Sequence, residues 1–188
     1  MKVGIFGGRF DPVHIGHIIL ARDVLEHLGL DNILFLLSSS PPHKEVSLSF
    51  ESRLKLLEAA ISPDPAFKVC TIEKELGLRK SYTALVLEKL YEIMPNDELY
   101  FIMGEDQFIK LDTWYMPEKI FEIARVVVLK RHEEEIKTAF SDRILYVNKR
   151  IIEVSSTEIR NRLKKGLPIR HLVPERVAEI IDTYNLYK

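Results

Sequence analysis

Apolar positions along this chain gather first into short runs that are continuous or alternate with period two, as strands do: Lys2 to Phe6, Asn32 to Leu37, Phe67 to Ile72, Leu99 to Met103, Arg125 to Leu129 and Arg143 to Val147. Between them the apolar residues recur at helical spacing, over Ile15 to Leu28, Phe50 to Ile61, Tyr82 to Ile93 and Pro117 to Ile123. Beyond the last run, "SSTEIRNRLKKG" predicts a capped helix closed by Gly166, and Pro174 opens another in "PERVAEIIDTY". Strand and helix thus alternate. Each parallel strand needs a crossover, and each crossover helix must bury its apolar stripe on the sheet. The expectation is an α/β fold, a Rossmann-like doubly wound, mainly parallel sheet with helices on both faces and a small helical C-terminal appendage. Such sheets take ligands beyond the carboxyl ends of their strands, where strand order reverses.

The chain has 188 residues, enough for one substantial core, so a single domain over 1–188 is expected. Lys and Arg number 27 against 28 Asp and Glu, a formal net charge of −1. That balance provides no long-range pull toward nucleic acid or an anionic membrane, so any phosphate recognition must be local. The lone cysteine, Cys70, sits in the alternating run "FKVCT" and reads as a buried structural thiol. Neither a signal-peptide pattern nor an apolar stretch near the roughly 18 residues of a membrane span is present, which predicts a cytoplasmic protein. Oligomeric state stays open, a homo-oligomer included.

Candidate chemistry concentrates at the first strand-to-helix junction, "GGRFDPVHIGH", Gly7 to His17. Gly7 and Gly8, lacking Cβ, suit a sharp turn that brings amide N–H groups against anionic oxygens; a bare pair of glycines is more often only a turn. His14 and His17, three apart, converge if the helix has begun by then, and an imidazole can donate to a phosphate. Either histidine alone reads as an ordinary surface or core residue, and with no third ligand evident the pair is a poor metal site. A long loop-like tract, Ser38 to Ser49, carries Lys44 after a double proline, a cation suited to following phosphate charge. Ser155, Ser156 and Thr157 open a helix N-terminus, an anion site, with Arg160 one turn on; a plain N-cap with a surface arginine is the alternative. Asp106 follows a predicted strand end, where a carboxylate can accept from ribose hydroxyls or simply favour a helix dipole.

Taken whole, "GGRFDPVHIGH" resembles the signature of the HxGH nucleotidyltransferases. "SSPPHK" (Ser39 to Lys44), "SYT" (Ser81 to Thr83), "MGEDQFIKLDTW" (Met103 to Trp114) and "VSSTEIR" (Val154 to Arg160) resemble segments of the bacterial nicotinate-nucleotide adenylyltransferases, in that family's order. The resemblance implies an enzyme that transfers the adenylyl group of ATP, with Mg2+, to nicotinate mononucleotide. It sets Gly7, Gly8, Phe10, His14, Gly16 and His17 around the phosphates, with Lys44, Ser156, Thr157 and Arg160. Gly104 and Asp106 fall at the ribose, and Thr83, Trp114 and Tyr115 near the pyridine ring. Of these, His14, His17, Lys44 and Arg160 are the expected catalytic group. Arg9 departs from the family's usual Ser or Thr and resembles the archaeal nicotinamide-nucleotide enzymes, and Glu105 replaces a usually small residue. Transfer onto nicotinamide mononucleotide, or a non-catalytic nucleotide-binding module of the same fold, are the competing readings.

Overall fold

The computed structural model describes residues 1–39, 46–77, 82–129, 138–147 and 150–188. Among them six strands, β1 (Lys2–Gly8), β2 (Asn32–Leu37), β3 (Phe67–Cys70), β4 (Glu98–Gly104), β5 (Arg125–Leu129) and β6 (Ile144–Val147), form one sheet in the order β3-β2-β1-β4-β5-β6. Every pairing is parallel. Order therefore reverses between β1 and β4, and the crevice at their carboxyl ends, where Gly8 and Gly104 lie, is the place such a sheet presents for a ligand.

Alternate side chains of each strand enter opposite layers. Phe6, Phe35, Ile102 and Val127 point to one, where they pack with α1 (Ile15–Leu28), α2 (Phe50–Ile61), α7 (Ser156–Lys164) and α8 (Glu175–Thr183). Ile5, Leu36, Phe101 and Val128 point to the other, against α3 (Ile72–Glu75), α4 (Thr83–Ile93), α5 (Glu105–Phe108) and α6 (Pro117–Ile123). The doubly wound, all-parallel α/β arrangement expected from the alternation is what the chain adopts. The C-terminal helices are tied closely into it: Ile159, Val177 and Ile181 have no exposure and belong to the same apolar cluster as Phe6 and Phe35. No helix of the described residues is long and apolar enough to cross a membrane.

Several boundaries differ from the expected ones. β3 ends at Cys70, and Ile72, expected in the strand, is the first residue of α3. A buried position is apolar in either conformation, so the run alone could not place that end. Gly7 and Gly8 lie within β1, paired with Leu36 and Leu37, and not in the turn that follows. Arg143, expected to start the last strand, closes a short 3-10 turn over Ser141–Arg143.

Candidate active site

The turn after β1 is made by Arg9 to Val13. Its left-handed residue is Phe10, at φ 46, with a cis peptide between Asp11 and Pro12. A non-glycine residue there costs about 1–2 kcal/mol, which the burial of the ring offsets: Phe10 is 2% exposed and meets His17 edge-on at 5.0 Å. Gly8 is what makes room. A Cβ on Gly8 would stand 2.8 Å from Phe10 Cζ, whereas one on Gly7 would make an ordinary 3.5 Å contact with Phe101. The sequence placed the need for glycine in the turning backbone, and the structure places it in the space above a neighbouring ring. Gly8→Ala is accordingly expected to destabilise by about 1–3 kcal/mol through overpacking, and Gly7→Ala by clearly less. Urea unfolding of the two side by side checks this, and equal losses would refute it.

His14 and His17 do come together, though not as neighbours on one helical face. α1 begins at Ile15, so His14 is its N-cap and His17 its third residue. The His14 amide donates to His17 Nδ1 at 3.1 Å and the His17 amide to the His14 carbonyl at 3.0 Å. The rings stack with centroids 3.6 Å apart and planes 30° from parallel. Because His17 Nδ1 accepts, the neutral ring carries its proton on Nε2, as a donor at the positive end of a helix. Among the described residues no three His, Cys, Asp or Glu side chains gather where they could hold a metal ion. Gly16 lets the stack form, since a Cβ there would lie 3.1 Å from His14 Nδ1 and 3.3 Å from Ile152.

The other phosphate candidates reach this turn from the far end of the chain. Ser156 Oγ donates to the Pro12 carbonyl at 2.8 Å, and Arg160 donates to the Asp11 carbonyl at 2.7 Å and to Thr157 Oγ1 at 3.1 Å. The N-terminus of α7 and that of α1 thus lie together. Ser155 is an ordinary N-cap, accepting from the Glu158 amide at 3.1 Å. Gly104 ends β4 and would meet nothing within 4 Å if it carried a Cβ, and Asp106 beside it is exposed. Phe10, set around the phosphates by the resemblance, has its ring in the core, so any ligand contact there falls to its backbone.

In the layer on the sheet's other face, Thr83 is the first residue of α4 and half-buried. Trp114, also half-buried, meets Phe101 edge-on at 6.5 Å. Phe101 is the residue beneath Gly7, so Trp114 is one ring removed from the end of β1. Tyr115 is exposed and lies 4.7 Å from Tyr82. Lys44, the rest of "PPHK" and Ser81 lie outside the described residues.

Several residues that build this site carry no motif. Arg53 is 1% exposed and donates through Nη1 to the Arg9 and Ser38 carbonyls, both at 2.8 Å, and through Nε to Leu48 at 3.3 Å. Burial pulls its guanidinium below the ordinary arginine range, while Asp11 and Glu73 favour the charge. Asp11 accepts from the Ser47 amide at 2.6 Å, and Glu73 from the Ser39 amide at 2.9 Å. One signal was present. Arg53 falls on the buried stripe of α2, with Leu56, Leu57 and Ala60, where a charge needs partners.

Residues 5–162 match the cytidylyltransferase-like family. A protein of Exiguobacterium sibiricum named "Probable nicotinate-nucleotide adenylyltransferase" is 38% identical over 188 residues, covering 100% of this chain and 99% of its own. The nicotinate-nucleotide adenylyltransferase of Bacillus subtilis is 36% identical over 189 residues, covering 100% and 98%. This chain belongs to the nicotinate-nucleotide adenylyltransferase family. Its fold is also that of the Plasmodium falciparum nicotinic acid mononucleotide adenylyltransferase complexed with NaAD, with a TM-score of 0.83 over 99% of this chain and 97% of that one at 20% identity. Membership makes the chain a nucleotidyltransferase.

Proposed function

We propose that this chain transfers the adenylyl group of ATP to nicotinate mononucleotide, giving nicotinate adenine dinucleotide and pyrophosphate. The observation that carries the reading is the stacked His14–His17 pair at the N-terminus of α1, beside the point where strand order reverses. A phosphate oxygen of the mononucleotide attacks the α-phosphorus of ATP; the bond to the bridging oxygen breaks, and pyrophosphate leaves with the electron pair. The attacking phosphate is ionised near neutral pH, so the protein has to align the reactants and neutralise charge.

His17 supplies an Nε2–H donor for that charge, and His14 stacks on it. The backbone at Gly7, Gly8 and Phe10, with Gly16 beneath His14, borders the phosphates. Ser156, Thr157 and Arg160 approach them from α7, where Arg160 has already spent part of its fork on Asp11 and Thr157. Lys44 adds a further cation. Mg2+ would arrive with ATP and neutralise phosphate charge, and Gly104 and Asp106 take the ribose.

Thr83, Trp114 and Tyr115 are assigned to the pyridine ring, where aromatic faces and a hydroxyl suit a ring bearing a carboxylate. Donors aimed at a carboxylate are left facing N–H groups when a carboxamide binds, and such mismatches cost affinity. Efficiency on nicotinate mononucleotide is therefore expected to exceed that on nicotinamide mononucleotide by about tenfold or more. Pyrophosphate release measured with both acceptors checks this, and an equal or reversed ratio would move the substrate to the nicotinamide compound. Saturable ATP binding with no pyrophosphate from either would leave a nucleotide-binding module.

A further inference from the structure

The last residues of the chain reach the turn after β1 through the Tyr187 hydroxyl. Tyr187, 9% exposed, donates its hydroxyl to Asp11 Oδ1 at 2.8 Å, across 176 residues of sequence. Asp11 is 2% exposed, and its other oxygen accepts the Ser47 amide at 2.6 Å. Its carbonyl takes Arg160 at 2.7 Å, and the neighbouring Pro12 carbonyl takes Ser156 at 2.8 Å. Two residues further on stands His14, whose amide orients the His17 ring. Just past the same turn, the Ile15 amide donates to the Leu172 carbonyl at 3.0 Å, a second hold from the C-terminal region.

Burial raises the Tyr187 hydroxyl well above its ordinary range, and Asp11 raises it further, so it stays a donor. Since Asp11 is buried, little water can replace that donor at the carboxylate, and without it the side chain has reason to turn. Any such turn is passed along the short stretch from Asp11 to His14. Tyr184, three residues earlier, is a contrast: 58% exposed, with Lys55 over its ring at 3.8 Å.

We propose that Tyr187 is a positioning residue for adenylyl transfer: its hydroxyl fixes the buried Asp11 carboxylate, which holds the turn that sets His14 and His17. The proposal rests on the adenylyl-transfer reading above, and its test separates the two. Pyrophosphate release from MgATP and nicotinate mononucleotide is measured for the unaltered chain, Tyr187→Phe and Tyr184→Phe, at a temperature where urea and thermal unfolding show all of them folded. Tyr187→Phe, which keeps the ring, is expected to lose on the order of ten- to a hundredfold in kcat, with KM for ATP little changed. Tyr184→Phe, the same deletion at an exposed site, keeps full turnover.

The second readout needs no substrate. The 15N resonance of His17 Nδ1 is expected at an acceptor nitrogen's position in the unaltered chain and in Tyr184→Phe, and displaced toward the average of the two tautomers in Tyr187→Phe. An unmoved resonance in Tyr187→Phe overturns the proposal, and so does undiminished turnover of the folded variant. If the unaltered chain releases no pyrophosphate, the adenylyl-transfer reading fails, and the resonance alone still decides whether Tyr187 sets the histidine.

Discussion

His17→Ala is expected to lower turnover by about a hundredfold or more, the usual effect of deleting one donor aimed at a transition state, while the KM for ATP changes little. In the proposed arrangement ATP is gripped at many points, along the end of β1, at α7 and at the end of β4, and no one of them decides its binding. Only charge developing on the transferring group needs the Nε2–H of His17, so the loss falls on kcat. The same ring also caps α1, accepting the His14 amide through Nδ1 at 3.1 Å. Alanine removes that bond too, at about 1 kcal/mol of stability. His17→Asn separates the two roles, because its short amide can offer an oxygen to the His14 amide but presents no donor where Nε2–H stood. It is expected to recover stability without turnover. Near-normal pyrophosphate release by His17→Ala would refute the assigned role, and restored turnover in His17→Asn would reduce the histidine to a helix cap.

The sheet and its covering helices were legible because each strand shows opposite faces to two cores and each helix a stripe to one. Those constraints repeat along the chain, so periodicity reports them. α1 and α2 start and end where the pattern said, over Ile15–Leu28 and Phe50–Ile61. The four-residue helices α3 and α5 were not legible, since a single turn has no period to show. In the crevice, the glycines and histidines stood out by type, but their reasons did not. Gly8 is needed for a ring that arrives through a left-handed Phe10, and the two histidines meet through an N-cap. The supports were hidden more deeply. Asp11, Ser47 and Tyr187 meet across separations of 36 and 176 residues, and no local pattern encodes a pairing of that range.

Arg53 is where that hidden framework carries most load, and Arg53→Met is expected to cost on the order of 4 kcal/mol. Methionine fills much of the stem's volume, so the loss isolates the guanidinium from its packing. Three carbonyls, of Arg9, Ser38 and Leu48, lose their donor in a place with little water to replace it. Asp11 and Glu73 meanwhile lose the nearby cation. Removing one side of a buried charge cluster is the costly case, unlike exchanging the whole cluster for apolar groups. Lysine is expected to rescue little, since a compact ammonium cannot span the carbonyls that the planar fork reaches. The Arg9 and Ser38 carbonyls belong to the two loops that leave β1 and β2, so the same change lets those loops separate, and turnover falls with stability. In a chain of this size the midpoint of thermal unfolding should drop by about 8–16 °C. A urea transition within about 1 kcal/mol of the unaltered chain's would show that the carbonyls find other partners and that the guanidinium does not join the loops.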